Sequence, residues 1–157
     1  MTMTKKRIKA KKRILIADDD PISRRVNKDI FTSFGFDVDL VVNGREAIEC
    51  FKLSLQEHSP YSLICLDMVM PFFDGTYALN EIRLMEANNT DVKTVPIPIA
   101  MMTSKKCKRN RNSILSVKNL INAYLLKPLS IDVMDELLIK LNIKPQERRP
   151  VYPFLTV

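Results

Sequence analysis

The chain of 157 residues contains no apolar run of the roughly eighteen residues that a membrane-spanning helix needs. Its first residues are charged and no hydrophobic stretch follows them, so a secretory signal is not expected at this end. There are only three cysteines, none with metal-ligand spacing, and the one histidine, His58, precedes a proline-containing loop. Cys65 is predicted in a strand, Cys50 in a helix and Cys107 in an exposed loop. These absences argue against a disulfide scaffold and a zinc site, and predict a cytoplasmic protein.

Acidic residues are absent from the first thirteen positions, which hold seven lysines or arginines. The rest of the chain has 18 basic and 18 acidic residues, so the net charge of +7 belongs to this segment. Residues 1–12 are therefore predicted to form a basic, flexible tail. Such a tail could contact nucleic acid or anionic lipid, but a solvated tail is the preferred interpretation and nucleic acid is not expected as a partner.

Four apolar segments end in polar residues that can handle phosphate or metal. These segments and their polar ends are residues 14–17 with Asp18-Asp19-Asp20, residues 63–66 with Asp67, residues 99–102 with Thr103-Ser104, and residues 124–126 with Lys127. Apolar residues at helical spacing lie between them: Ile22, Val26, Ile30 and Phe34; Ala47, Ile48 and Phe51; Ala78, Leu79, Ile82 and Leu84-Met85; and Ile131, Met134, Leu137-Leu138 and Leu141, opened by Ser130 as an N-cap. With residues 36–41 as the second strand, the pattern predicts an α/β fold of five strands and about five helices.

Strands that alternate with helices form right-handed βαβ units and a parallel sheet. In such doubly wound sheets ligands bind beyond the carboxyl ends of the strands. All four polar ends lie on that one edge, which is therefore the predicted site. One domain is expected over residues 13–143, with a proline-rich tail at 144–157.

The ordered set of polar motifs is similar to that of response-regulator receiver domains of two-component signalling. The matching residues are Asp18-Asp19, Asp67 followed by Met70-Pro71 and Asp74-Gly75, Thr103, and Lys127-Pro128 with Tyr124 three positions earlier. Residues 60–67 and 123–128 resemble the stand-alone, chemotaxis-regulator-like receivers in particular. The resemblance implies a flavodoxin-like sheet of strand order 2-1-3-4-5.

The resemblance also implies the chemistry. Asp67 would be the phosphoacceptor, taking a phosphoryl group from a phosphohistidine of a sensor histidine kinase or a histidine phosphotransfer protein. Mg²⁺, or Mn²⁺ in its place, would be held by Asp19, Asp67 and the backbone carbonyl of Val69, with Asp18 acting through water. Lys127 would bind the phosphoryl oxygens.

The same resemblance implies a switch. The hydroxyl of Thr103 would move to the phosphoryl group, Ser104 would leave room for that group, and Tyr124 would rotate inward behind Thr103. The surface of the fourth helix, fifth strand and fifth helix would change as a result. Three further residues would shape the site: Pro71, Gly75 and Pro128, the last often after a cis peptide in this family.

Two neighbours of the site predict slow self-dephosphorylation. Val69 is apolar and cannot orient an attacking water, and Lys105 is a poor base. The basic run Lys105–Arg111 could steer an acidic partner, with a solvated loop as the alternative. In the C-terminal tail, Tyr152, Phe154 and Leu155 could pack on the domain or on a partner.

The chain departs from the family pattern in the turn before the fifth strand. Leu120 stands where glycine is common, so the turn is expected to be built with Asn119 or Asn122, which tolerate left-handed conformations. The preceding helix, Asn112–Leu120, has only a weak pattern, and the polar segment Glu86–Pro96 is predicted to be a loop.

Three functions are compatible with the sequence. The first is a stand-alone receiver, a monomer or weak dimer, whose output is phosphorylation-switched protein binding rather than catalysis on external substrates. The second is an interaction module with this fold that works without phosphorylation, although such modules usually lack one of the acids, the Thr or the Lys. The third is a phosphohydrolase of the haloacid-dehalogenase type, which would need an Asp at the position of Val69.

Overall fold

The structure is a computed structural model, and it describes residues 11–89, 95–104 and 117–146. In these residues five strands and four helices follow one another as an alternating α/β chain. The elements are β1 (Arg13–Ala17), α1 (Pro21–Ser33), β2 (Asp37–Val41), α2 (Gly44–Gln56), β3 (Tyr61–Asp67), α3 (Gly75–Asn88), β4 (Ile99–Ser104), β5 (Ala123–Lys127) and α4 (Ile131–Lys140).

All five strands belong to one parallel sheet, in the order β2-β1-β3-β4-β5. The predicted doubly wound fold and its strand order are therefore confirmed. In the sheet β1 lies between β2 and β3, so the direction in which successive strands are added reverses at β1. The carboxyl ends of β1 and β3 are thus neighbours, which is what brings their terminal residues together.

Each face of the sheet is covered by two helices. On one face Ile14 and Ile16 of β1 pack with residues of α1 and α4, such as Phe31 and Leu137. On the other face Leu15 and Ala17 pack with residues of α2 and α3, including Phe51 and Leu79. Since both faces are buried, β1 is apolar from Ile14 to Ala17 and β3 from Leu63 to Leu66.

The predicted apolar face of α1 is partly wrong. Ile30 and Phe34 are buried, but Ile22 is 72% exposed and Val26 is 43% exposed. Residues at steps of four drift by about 40° per step around a helix of 3.6 residues per turn, so all four cannot share one face. The buried face of α1 consists instead of Asn27, Ile30 and Phe31.

One other local prediction is also wrong, and a second is right only in part. The loop predicted from Glu86 begins later, because α3 continues to Asn88. Neither Asn119 nor Asn122 is left-handed: among the described residues other than glycine, positive φ angles occur at His58, Phe72 and Asn142. The Asn122 side chain instead accepts a hydrogen bond from the N–H of Ile99 at 2.9 Å and so joins the turn to β4.

Several predictions lie outside the described residues. They concern the tail before residue 11, the basic run from Lys105 with Cys107, most of the helix predicted at 112–120, and the apolar residues of the C-terminal tail. The domain boundaries also stay predictions. None of the helices in the described parts is long and apolar enough to cross a bilayer.

Candidate active site

The predicted polar edge of the sheet exists. Asp18 directly follows β1, Asp67 is the last residue of β3, and Lys127 is the last residue of β5. Thr103 and Ser104 end β4, and the strand register places Ser104 opposite Lys127. Since all five strands are parallel, these side chains lie at one edge.

Three carboxylates converge at this edge. Asp18, Asp19 and Asp67 each present an oxygen, and the three oxygens lie within 4.8 Å of one another. Asp18 is completely buried and Asp67 is 6% exposed, whereas Asp19 faces solvent. Like charges this close repel one another, so the cluster favours a cation beside it.

The turn between β1 and α1 fixes the orientation of Asp18. The Asp18 carboxylate accepts from the N–H of Asp20 at 3.0 Å, and Asp20 in turn caps α1 by accepting from the N–H of Ser23 at 2.9 Å. The Asp18 carbonyl accepts from the Arg24 guanidinium at 2.6 Å. Both the side chain and the carbonyl of Asp18 are therefore held before any ligand binds.

Asp67 is held through both carboxylate oxygens. Oδ1 accepts from the N–H of Val69 at 3.1 Å, and Oδ2 accepts from the Lys127 ammonium at 2.5 Å. Behind it, the start of α3 approaches so closely that a side chain at Gly75 would collide with the Asp67 carbonyl oxygen. Glycine at this position is thus required by the packing of α3 against the end of β3.

Lys127 is shared by two acids. Its Nζ lies 2.5 Å from Asp67 Oδ2 and 2.7 Å from Asp18 Oδ2, and only 15% of its side chain is exposed. Burial raises the pKa of Asp18, although the Lys127 ammonium opposes the effect. Burial alone would lower the pKa of Lys127, but its hydrogen bonds to Asp18 and Asp67 outweigh burial and raise it. The Lys127–Pro128 peptide bond that follows is cis.

The donor set fits a hard divalent cation. Three carboxylates face one ammonium group, so negative charge remains uncompensated, and carboxylate oxygens are the ligands that Mg²⁺ and Mn²⁺ prefer. Asp18, Asp19 and Asp67 are the residues that could hold such an ion. The contribution of the Val69 carbonyl stays a prediction.

A comparison with known families matches residues 14–139 to the response regulator receiver domain. The chain belongs to the response regulator receiver family. Receiver domains are modules of two-component phosphorelay signalling, as the sequence motifs had indicated.

Individual relatives agree with this assignment. The chemotaxis protein CheY of Bacillus subtilis is 43% identical over 76 residues, which cover 48% of this chain and 59% of CheY. The receiver domain of the Pseudomonas aeruginosa sensor histidine kinase PA1611, solved with magnesium in its active-site cleft, is 26% identical with a TM-score of 0.65, covering 85% of this chain and 99% of that one. The complex of Saccharomyces cerevisiae Ypd1 with the Ssk1 receiver domain matches at 22% identity and a TM-score of 0.65 over 81% of this chain and 86% of that one, and shows the shared fold.

This receiver domain spans only part of its relatives. It covers between 5% and 59% of the length of the first three curated proteins that match it, two of which are histidine kinases. The activity and partners of the whole protein are therefore matters of proposal.

The structure shows where the residues predicted to form the switch of the receiver lie, while their role in a switch stays a prediction. Thr103 is partly exposed, and its hydroxyl lies 3.4 Å from the Ser104 carbonyl, to which it donates. Tyr124 pairs with Met101 in the β4–β5 ladder and is 37% exposed. Burial raises the pKa of its phenol.

Sequence reasoning missed three contacts of the receiver site: the Arg24 guanidinium on the Asp18 carbonyl, the Val69 N–H on Asp67, and the cap supplied by Asp20. The pair Asp20-Pro21 could have revealed the cap, because an acid before a proline commonly opens a helix. Arg24 has no such local signal, since its role depends on how the turn folds back.

Proposed function

We propose that the protein accepts a phosphoryl group from a phosphohistidine donor onto Asp67, in a Mg²⁺-dependent reaction, and signals by a change in protein binding. The observation that carries the proposal is the setting of Asp67, which lies between the Lys127 ammonium and the Val69 N–H beside two further carboxylates. An acid with only a structural role would not need this concentration of like charge.

In the proposed step a carboxylate oxygen of Asp67 attacks the phosphorus of the phosphohistidine. The new O–P bond forms as the P–N bond breaks, and the electron pair of that bond stays with the imidazole, which takes up a proton. Lys127 shifts from the carboxylates to an oxygen of the incoming phosphoryl group, whose negative charge it offsets. Mg²⁺ held by the three acids would neutralise charge on the phosphoryl oxygens and align them for transfer.

The phosphorylated form is proposed to act through Thr103 and Tyr124. Thr103 lies on the strand next to Asp67, and within the described part of the chain its hydroxyl bonds only weakly, to the Ser104 carbonyl at 3.4 Å. Its movement toward the phosphoryl group would open space for Tyr124, as in a two-state switch.

The wider proposal is a stand-alone receiver that acts in the cytoplasm as a monomer or weak dimer and does not turn over external substrates. Its donor would be a sensor histidine kinase or a phosphotransfer protein. A cytoplasmic location is supported by Cys50 and Cys65, which are both free thiols.

The test is phosphorylation by acetyl phosphate with Mg²⁺, read by intact-protein mass. Wild type should gain one phosphoryl group, chelation of the metal should prevent the gain, and Asp67→Asn should show none. Asp29→Asn, an acid-to-amide change on the exposed side of α1, is the matched control and should behave as wild type. No gain of mass in wild type would instead favour a module that works without phosphorylation, and equal labelling of Asp67→Asn and wild type would mean that another residue is the acceptor.

The same labelled protein tests the lifetime of the phosphoryl group. After the donor is removed, the label should decay slowly, because Val69 offers no group to orient water. Val69→Asn should lose the label faster than wild type. Rapid decay in magnesium-replete wild type would show that the prediction of slow self-dephosphorylation is wrong.

A further inference from the structure

Phe72 combines two unfavourable features in the loop that begins directly after Asp67. Its side chain is 98% exposed, and its backbone is left-handed with φ of 65°. A bulky aromatic residue rarely adopts this conformation, because its Cβ meets the neighbouring carbonyl. The other described non-glycine residues with positive φ, His58 and Asn142, are of types that tolerate it far better.

Among the residues that the structure describes, no ring contact or burial compensates for the strain at Phe72. The neighbouring Phe73 packs its ring against Tyr77 at 5.3 Å between centroids, whereas the Phe72 ring is almost entirely in solvent. The same loop also exposes 52% of Val69. Strain that persists beside a reactive group, with no burial to offset it, is typical of a residue kept for binding.

The position of Asp67 identifies what binds there. The residue is only 6% exposed, and reacting atoms must approach to about 3–3.5 Å for transfer. A phosphohistidine carried on a protein surface must therefore press that surface against the rim of the site, and the loop from Met68 to Asp74 forms part of this rim. A small phosphodonor such as acetyl phosphate can reach Asp67 without a contact between protein surfaces.

Charge on the other side of the site agrees with a protein donor. The start of α1 exposes Ile22 by 72%, and on its solvent side Arg25 pairs with Asp29 at 3.4 Å while Lys28 is exposed. The rim therefore offers apolar side chains with the ammonium group of Lys28 beside them, which fits a partner surface with an apolar centre and an acidic group at its edge.

We propose that Phe72 is an anchor for the docking of the phosphohistidine-bearing protein donor, and that its strained loop is retained for this contact. The inference rests on the proposed function, since it concerns the same phosphoryl transfer. A second copy of the chain on this loop is the competing occupant.

The test compares two donors on the full chain: acetyl phosphate, and phosphorylated Ypd1 as a protein that carries a phosphohistidine. Phe72→Asn should slow transfer from Ypd1 at least about tenfold and leave labelling by acetyl phosphate within twofold of wild type. Its melting temperature should rise by about 2–4 °C, since asparagine relieves the strain. Phe72→Tyr, which keeps an aromatic ring, should accept phosphoryl from Ypd1 at about the wild-type rate. His58→Asn, at the opposite end of the sheet, is the matched control and should change neither rate.

Four outcomes overturn the docking proposal: equal slowing with both donors, no slowing with Ypd1, a wild type that accepts phosphoryl from acetyl phosphate but not from Ypd1, or a wild-type dimer in sedimentation that Phe72→Asn dissociates. A wild type labelled by neither donor would instead overturn the proposed function itself. The two failures are therefore distinguishable.

Discussion

Strands β1 and β3 carry a charged cluster at each end, and the two clusters differ in how their charges are matched. At the amino ends, Arg13 of β1 lies opposite Tyr61 of β3. At the carboxyl ends, Asp18 follows β1 and Asp67 ends β3. The same two neighbouring strands thus hold both clusters, which makes them a direct comparison.

At the amino ends the polar groups satisfy one another. The Arg13 guanidinium donates to Asp39 at 2.7 Å and to the carbonyl and hydroxyl of Ser59 at 3.2 Å, and it lies 4.7 Å over the Tyr61 ring. The Tyr61 hydroxyl donates to Asp39 at 2.8 Å. Burial and this bond raise the pKa of Tyr61, so the phenol stays a donor. Here the Arg13 guanidinium hydrogen-bonds to Asp39 and lies 3.9 Å from the largely exposed Glu57, so the partly buried groups are paired with one another.

At the carboxyl ends the charges do not match. Lys127 serves both Asp18 and Asp67, while Asp19 adds a third carboxylate within 4.8 Å. The contrast teaches that unmatched charge on an otherwise well-packed sheet marks the place kept for a ligand. The difference predicts the sign of the stability change when an acid is removed. In the absence of metal, removal of an acid at the amino end should destabilise the protein, and removal of one at the carboxyl end should stabilise it.

The largest effect is expected from Lys127→Met in the presence of a chelator. The substitution leaves the buried Asp18 without a cation, and the free energy of unfolding at pH 7 should fall by about 3 kcal/mol. The pKa of Asp18, already raised by burial, should rise further. Because the pKa of Asp18 in the folded variant lies above its ordinary value of 3.8, the destabilisation is absent below pH 3.8. It grows as the pH rises through the pKa of the folded state.

Urea unfolding at several pH values measures this. The deficit of Lys127→Met relative to wild type should be largest near neutral pH and shrink on acidification. Lys140→Met, in the last turn of α4, controls for the loss of a lysine and should change little. A deficit that does not vary with pH would mean that packing rather than charge explains the effect.

The sequence predicted the carboxyl edge well because its signals are local. Each strand is an apolar run that stops at a polar residue, and parallel strands place all such stops at one edge. Asp18, Asp67, Thr103 and Lys127 were found in this way, and Ser130 was recognised as an N-cap because its hydroxyl stands just before a helical pattern.

The parts that failed depend on contacts between distant residues. Glu86 was assigned to a loop because the segment is polar, but its carboxylate bonds to Arg83 at 2.6 Å and to the N–H of Ile97 at 2.8 Å, which stabilises the last turn of α3. Asn27 is polar and gives no signal of burial in the sequence, yet it is buried with its amide 3.7 Å from the Met102 sulfur. The left-handed backbone of Phe72 has no sequence signal, since phenylalanine is a poor choice for it.

A smaller loss is expected at the amino end from Asp39→Asn. The change removes the charge from two hydrogen bonds, and because 41% of the Asp39 side chain is exposed the loss should be about 1 kcal/mol. Chemical unfolding measures it, and phosphorylation should be unaffected. Asp29→Asn removes an acid from a pair whose side chains are 77% and 63% exposed and should have no measurable effect. A gain in stability at Asp39 would contradict the claim that this end is matched.

The smallest effect in the absence of metal, and the one of opposite sign, is expected from Asp19→Asn. With a chelator present the variant should melt slightly above wild type, because one of three crowded carboxylates is gone. With Mg²⁺ in excess the order should reverse. An ion that binds only the folded state stabilises it by an amount that grows with the ratio of its concentration to Kd, about 2.7 kcal/mol at a hundredfold ratio. Because the variant has one ligand fewer, it should bind Mg²⁺ more weakly and gain less of this stability. Asp20→Asn, one residue along, keeps the helix cap and should follow wild type in both conditions. If Asp19→Asn melts below wild type without metal, the Asp19 carboxylate stabilises the folded protein. The charges at the carboxyl end would then be as well matched as those at the amino end.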